Sequence, residues 1–177
     1  FKAELKALSN VENVTVGDFL PIAGNGTKRN GNTFFEVGKN KNTDQTGAQM
    51  WNVDYDYIHT LGMKMVEGRD FSRELASDSQ AVVINQTLAR KLQLDQPIGK
   101  RISNDFRIYT VIGVVEDFHF ESFRENIGGV CLSLGNSPGI TAIKIKPQNM
   151  SQTVAAVTGL WEKMVPNQVL RYSFLDE

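Results

Sequence analysis

The segment "EDFHFESF" carries the side chains with the clearest capacity for chemistry. It follows the apolar run "YTVIGVV" and places Asp117, His119 and Glu121 at alternate positions. Alternate side chains of a β-strand share one face, so two carboxylates and an imidazole could bind a metal ion or transfer protons there. We treat these three as weak metal-ligand candidates. The favoured alternative is a solvated strand face with Phe118 and Phe120 packed inward.

The segment "GNSPG", residues 135–139, satisfies the G-x-S-x-G pattern of a serine nucleophile at a strand-to-helix turn. Three features count against a hydrolase. The next segment has strand character, Pro138 has no N–H to donate to an oxyanion, and no histidine follows His119 in the chain. Gly, Asn, Ser and Pro are the usual residues of a tight turn, so we predict a hairpin here.

Two glycine-containing segments fall short of phosphate-binding loops. "PIGKRIS" has Leu94 where a P-loop requires glycine, and Arg101 where Ser or Thr must follow the lysine. "GNGTKRNG" has Arg29 at the last glycine position of G-x-G-x-x-G. We therefore expect no ATPase activity from this chain, and we assign it no catalytic residues and no cofactor.

The remaining candidates for metal or redox chemistry are isolated. His59 lies in a short helical pattern, and the sequence contains no HxxxH, HExxH or paired-cysteine spacing. The single cysteine, Cys131, excludes an internal disulfide, and its apolar surroundings in "GGVCLSL" predict a small buried side chain.

The composition is typical of a globular protein with a buried core. The chain has 177 residues, of which 41% are hydrophobic and 22% charged, and its formal net charge is −1. No basic run is present, so nucleic-acid binding has no electrostatic support. No stretch reaches the ~20 apolar residues that span a bilayer. Both ends resemble those of an excised domain, so we expect flanking segments that could include membrane helices.

Helices and strands are mixed without a regular βαβα alternation, which predicts an α+β fold with mixed sheets. The clearest helix, "SQTVAAVTGLWEKMV", lies between the strand patterns "TAIKIK" and "VLRYSF" and predicts a C-terminal βαβ unit. "RIYTVIGVVEDFHF" is the longest strand candidate. Asn85 is placed to cap the helix "QTLARKLQL", and Gly62 to end the helix "DYDYIHTLG".

A binding module is the alternative to a structural domain. Residues 23–32 are rich in Gly and Asn and predict a mobile loop. Residues 24–32, together with Trp51 and Tyr55, could line the pocket of a small-molecule sensor or binding module in a membrane protein. We favour a loop and ordinary core packing for these residues.

Four segments, in order and at familiar spacing, carry a resemblance to a known family: "VDYDYIHTLGMKMVEGRDFS", "DSQAVVINQTLARKL", "QPIGKRI" and "YTVIGVVEDFHFESF". Together they resemble the MacB-like periplasmic core domain of FtsX/MacB-type ABC transporter permeases. The likeness is strongest to the second periplasmic domain of the duplicated permeases of Bacteroidetes. It covers nearly the whole chain. One departure is "ENIGGVCLSL", where the family pattern has a proline in place of Gly128 or Gly129.

The resemblance implies a non-catalytic periplasmic domain of an inner-membrane protein. A porter-like βαβ part, residues 1–41 and 127–177, would be interleaved with an inserted Sabre-like α/β part, residues 42–126. The domain would couple ATP-driven motion of membrane helices to periplasmic events during export. The implied partners are a cytoplasmic ABC ATPase subunit, a second permease half or homodimer, and a periplasmic adaptor or substrate protein.

Overall fold

The computed structural model describes residues 1–20, 30–119, 126–135 and 139–175. The described strands are β1 (Val11–Gly17), β2 (Gly31–Glu36), β3 (Thr46–Val53), β4 (Met65–Gly68), β5 (Ala81–Asn85), β6 (Arg101–Ser103), β7 (Ile108–Val115), β8 (Val130–Leu134) and β9 (Ile140–Ile145). The described helices are α1 (Lys2–Lys6), α2 (Lys41–Asp44), α3 (Tyr57–Thr60), α4 (Gln86–Lys91) and α5 (Met150–Met164), with a 3₁₀ turn at Ala76–Gln80. Within these residues no helix is long and apolar enough to cross a membrane.

The nine described strands form one mixed sheet in the order β2-β6-β7-β5-β8-β3-β1-β9, with β4 paired to β7 outside this order. The β3–β8 and β5–β7 pairs are parallel, and the others are antiparallel. Because β2 also pairs with β3, six strands close on themselves. We call β2, β3, β5, β6, β7 and β8 the strand ring. The α+β fold with a mixed sheet is therefore confirmed.

One apolar cluster includes side chains from all six strands of the ring and from α4. Its largest fully buried members include Phe34, Ile84, Leu88 and Ile102. A second cluster packs on part of the ring's other face and is centred on Trp51, Val53 and Tyr57. Side chains alternate along each strand, so both faces of the central strands are covered and the strands are nearly continuous apolar runs. This explains why "AVVIN" is buried at every position.

The helices α1 and α5 pack with β1 and β9 around a separate, smaller cluster. Its buried members are Leu5, Val11, Val14 and Val157. β1 and β9 pair at six positions, so these four elements form a unit that we call the terminal lobe. The lobe contains both the first and the last elements of the described chain.

Two predicted strand segments are wrong. β7 ends at Val115, so Asp117 and His119 do not lie on a strand. Residues 165–174, which contain the predicted closing strand, have no regular structure, and Val169 in this segment is 88% exposed. The C-terminal βαβ unit therefore lacks its second strand in this structure.

The predicted caps are confirmed. The Asn85 side chain accepts a hydrogen bond from the Leu88 amide at 3.0 Å, which caps α4. Gly62 follows α3 with φ of 66°, a left-handed conformation that glycine adopts without strain. The helix α2 was not predicted, because its sequence "KNTD" is polar and has no buried residue.

Candidate functional site: the joint between ring and lobe

Asp117 is a structural carboxylate at the N-terminus of α4. Its Oδ1 accepts hydrogen bonds from the Asn85 side chain at 2.9 Å and the Thr87 amide at 2.8 Å. Its Oδ2 accepts from the Thr87 hydroxyl and from Arg90, each at 2.8 Å. Four donors occupy the lone pairs that a metal ion would need. A negative charge at this position also complements the partial positive charge at a helix N-terminus.

His119 borders the same open cleft as Asp117. His119 is exposed, and Glu121 and Phe120 lie outside the described residues. Phe118 is half-buried and its ring lies 6.0 Å from that of Trp51. Among the described residues, no group of three or more His, Cys, Asp or Glu side chains is placed to hold a metal ion. The metal role of Asp117, His119 and Glu121 stays a prediction, and nothing in the described geometry adds to it.

An open cleft of about 300 Å³ lies between the segment that joins α3 to β4 and the segment that follows β7. Leu61, Met63 and Phe118 form its apolar lining, and Lys64 and Glu116 form an ion pair of 3.5 Å beside them. The aromatic residues that we considered for a ligand pocket lie elsewhere. Trp51 is fully buried against Phe19, with ring centroids 4.3 Å apart.

The terminal lobe meets the strand ring along a narrow contact that we call the joint. The joint consists of Lys2, Lys6, Thr15, Val16, Gly17 and Asp18 on the lobe side, and Asn52, Val53, Asp54, Asp56 and Tyr57 on the ring side. Among the described residues, Gly17 and Val53 are the one paired position between β1 and β3. Two further backbone hydrogen bonds flank it, from Asp18 to Asn52 at 2.9 Å and from Asp54 to Val16 at 3.1 Å.

Asp54 ties the backbone of β1 to the end of β3. Its Oδ1 accepts from the Thr15 hydroxyl at 2.5 Å, and its Oδ2 accepts from the Val16 amide at 2.9 Å. Lys2 of α1 donates to the same carboxylate. Oδ1 also accepts from the Asp56 amide at 3.1 Å, which shapes the turn that begins α3. One side chain thus holds the lobe, the strand end and the next helix.

Asp56 forms ion pairs with three cationic side chains, which come from both sides of the joint. Its Oδ2 lies 2.5 Å from Lys2 Nζ, 2.9 Å from Lys6 Nζ and 3.0 Å from Arg73 Nη2. Partial burial acts to raise the pKa of Asp56, but hydrogen bonds from Lys2, Lys6 and Arg73 outweigh it and place the pKa well below its usual range. The Arg73 guanidinium also stacks on Tyr55, 4.7 Å from the ring centroid.

The backbone at the joint is packed without room for side chains. A Cβ on Gly17 would lie 2.8 Å from the Tyr57 ring, and a Cβ on Gly139 would lie 2.1 Å from the Gly17 carbonyl oxygen. The Tyr57 hydroxyl, buried nearby, donates to the Phe19 carbonyl at 2.5 Å, and burial raises the pKa of Tyr57 above its usual range. The apolar contact beside the charges includes Ala142 of β9. The backbones of the two parts are therefore in close contact at the joint.

Sequence reasoning missed the joint. Lys2 and Lys6 of α1 are absent from the site candidates taken from the sequence. Their i, i+4 spacing was a visible signal that both lysines share one face. The acidic pair Asp54 and Asp56 was equally visible, but nothing local connects residues that are 50 or more positions apart.

Comparisons with known proteins assign the family. Residues 4–160 match the model of the MacB-like periplasmic core domain. A search of curated proteins finds no match.

Solved structures share the fold at low sequence identity. The periplasmic region of MacB from Actinobacillus actinomycetemcomitans is 18% identical with a TM-score of 0.67, and the match covers 92% of this chain and 72% of that one. The extracellular domain of the noncanonic ABC-type transporter YknZ from Gram-positive bacteria is 15% identical with a TM-score of 0.68, over 96% and 87% of the two chains. A domain of a Porphyromonas gingivalis permease protein is 15% identical with a TM-score of 0.63, over 92% and 68%. Most of this chain therefore shares its fold with the extracytoplasmic parts of transporters, and by its matching residues the chain belongs to the family of MacB-like periplasmic core domains.

Proposed function

We propose that this periplasmic domain couples the motion of an ABC transporter permease to periplasmic events through movement of the terminal lobe against the strand ring. In this proposal ATP is hydrolysed on a separate cytoplasmic subunit, and the domain itself carries no catalytic centre. Its export partners would be a second permease half and a periplasmic adaptor or substrate protein.

The single observation that carries the proposal is the narrowing of the sheet at the joint. β1 and β9 pair at six positions and β3 and β8 at five, whereas β1 and β3 pair at one. Backbone pairing is therefore dense inside each part and sparse between them. Domain closure commonly uses a few residues at the ends of elements to absorb a change in backbone angle. The positions around Gly17 and Val53 have this placement.

The side chains of the joint suit a contact that can shift and reform. Ion pairs between partly exposed groups contribute little each, about 0–1 kcal/mol, and are weakened by salt. Asp56 has three cationic partners, so it can exchange one for another as the parts rotate.

The strand pairing also suggests where the two parts divide. The expected boundaries after residue 41 and before residue 127 would separate β2 and β8 from the ring strands to which they are hydrogen bonded. We propose that the porter-like part is the terminal lobe and that the inserted part extends from β2 to β8.

Distance measurements between spin labels in the complete permease with its ATPase test the coupling. One label pair spans the joint, with labels at Glu162 of α5 and Glu67 of β4, both exposed. The control pair lies on the ring side of the joint, at Glu67 and Lys91 of α4. We expect the distance across the joint to change between nucleotide-free and ATP-bound states while the control distance stays constant. Equal distances in both states for the pair across the joint would refute the proposal.

A further inference from the structure

The strands β2, β6 and β7 carry apolar side chains on the outer face of the strand ring. Phe34 and Tyr109 belong to the cluster inside the ring, so their neighbours Phe35 and Ile108 point outward. Phe35 pairs with Ser103 and Ser103 pairs with Ile108, which places the two apolar side chains in one row across three strands. Among the described residues, Phe35 and Ile108 belong to none of the three apolar clusters, and Ile108 is 45% exposed.

The turn between β6 and β7 presents a further apolar side chain, Phe106, which is 86% exposed. The buried Asn104 holds this turn, because its Oδ1 accepts hydrogen bonds from the Phe106 amide at 3.3 Å and the Arg107 amide at 3.0 Å. Asp105 has a left-handed φ of 73° and forms an ion pair of 2.6 Å with Lys41. The exposed ring therefore stands on a turn that is ordered before any partner binds, which lowers the entropic cost of binding.

The charges around this surface are mainly positive. We call the surface the tip face, and its residues are Phe35, Val37, Arg101, Phe106, Arg107 and Ile108. The nearby carboxylates Glu36 and Asp105 are already paired with lysines. Residues 35–44 and 100–110 contain five Lys or Arg and three Asp or Glu, although the whole chain has a net charge of −1. The tip face is thus an exposed apolar patch with an excess of positive charge.

We propose that the tip face binds an acidic segment of another protein. Apolar side chains of that segment pack against Phe106 and Ile108, and its carboxylates lie beside Arg101 and Arg107. Contiguous exposed apolar patches mark interaction surfaces, and aromatic side chains are frequent anchors within them. A guanidinium can donate two parallel hydrogen bonds to one carboxylate, so the two arginines give the contact its preference for acidic partners.

Two other occupants agree less well with this surface. In a twofold contact between copies of this chain the same surface faces itself, so Arg101 and Arg107 would meet the same positive charges. A bilayer takes up side chains that reach about 5–10 Å into the boundary of the acyl chains. Val37 is only 36% exposed and Phe35 is half-buried, and both lie on the sheet and not at its projecting turn. A protein segment can follow such a flat surface.

The identity of the partner rests on the proposed function, in which a periplasmic adaptor or substrate protein contacts the domain. The tip face lies on the strand ring, and none of its residues belongs to the joint. Binding at the tip face therefore does not require the terminal lobe to move.

Site-specific photo-cross-linking of the complete permease, in the cells that produce it, tests the binding. The photoreactive residue p-benzoylphenylalanine replaces Phe106. In the control it replaces Glu67, an exposed residue of β4 in the same sheet. After irradiation, mass spectrometry of the cross-linked peptide identifies the attached segment. We expect position 106 to be joined to a protein segment that contains apolar residues and an excess of Asp and Glu, and we expect no such product from position 67.

Charge variants of the same photoreactive permease separate binding from folding. Arg101→Glu with Arg107→Glu should lower the yield of the product at least about five-fold, because acidic groups on both sides of the contact repel each other. Arg101→Lys with Arg107→Lys keeps the charge and should retain most of the product. Both positions are exposed, so the urea midpoint of the 177-residue chain should stay unchanged in both variants.

Four results from position 106 would each overturn the proposal: a cross-link to a second copy of the permease, a cross-link to lipid alone, a protein segment without an acidic excess, or no product. An equal product from position 67, or a yield that the Glu substitutions leave unchanged, would overturn it too. The spin-label experiment reports motion across the joint and is independent of this result. A constant spin-label distance with the cross-link retained would refute the coupling and leave the tip face as a binding surface.

Discussion

Replacing Asp117 by alanine is expected to lower the free energy of unfolding by about 2–4 kcal/mol. The carboxylate caps α4 through the Thr87 amide, and loss of an N-cap costs about 0.5–2 kcal/mol. The Asn85 side chain is fully buried and loses one of its two acceptors, which costs about 1–3 kcal/mol. The Arg90 pair adds little, because that side chain is 69% exposed.

Urea unfolding followed by tryptophan fluorescence measures this loss. Asp117→Asn keeps one acceptor oxygen and is expected to fall between alanine and the native residue. Glu67→Ala, an exposed carboxylate on β4, is the control and should change the free energy by no more than about 0.5 kcal/mol. Each curve is repeated with a chelator and with added Zn²⁺. A stability close to that of the native protein for Asp117→Ala, or a loss that vanishes with the chelator, would contradict the capping role and favour a metal site.

Three further predictions concern the joint and the core. The pKa of Asp56 is depressed in the folded state, so the ionised carboxylate stabilises the fold above the ordinary pKa of 3.8, and this stabilisation is lost as the pH falls below 3.8. The free energy of unfolding of the native protein should therefore fall between about pH 5 and pH 2, and Asp56→Asn should make this fall smaller. Gly139→Ala should cost about 1–3 kcal/mol in urea unfolding, because its Cβ meets the Gly17 carbonyl oxygen at 2.1 Å, whereas Gly159→Ala in α5 meets nothing within 4 Å and should stabilise by about 0.5–1 kcal/mol. Full burial raises the pKa of the Cys131 thiol above its usual range, so a thiol reagent should label it only in urea, and labelling of the native protein within minutes would show that the ring interior opens.

Short sequence patterns predicted most of the helices and strands, because the residues that form and cap each of these elements are neighbours in the chain. The β-branched run "AVVIN" followed by a polar residue and a helical repeat is enough to predict β5, the Asn85 cap and α4. The pairing of these elements depends on contacts that no short pattern contains. Asn52 of β3 lies beside Ser133 of β8, 81 positions later, and the closure of six strands follows from such pairs. The interleaving of two parts stays an expectation from the family resemblance, because it depends on long-range contacts that no short pattern contains.

The segment "EDFHFESF" shows why the role of a polar side chain is harder to predict from the sequence than the fold. Alternation of Asp117 and His119 implies a shared face only if the backbone is a strand, and β7 ends at Val115. A carboxylate that follows an apolar strand is equally suited to accept hydrogen bonds from a neighbouring helix N-terminus, and Asp117 does so at Thr87. A carboxylate that binds a metal and one that caps a helix differ in the groups that contact them. The sequence around Asp117 does not show those groups, because Asp117 lies 30 positions from the amide that it caps. The same holds at the joint, where Asp56 gains its cations from α1 and from Arg73. In this domain the acidic side chains with several partners join distant parts of the chain.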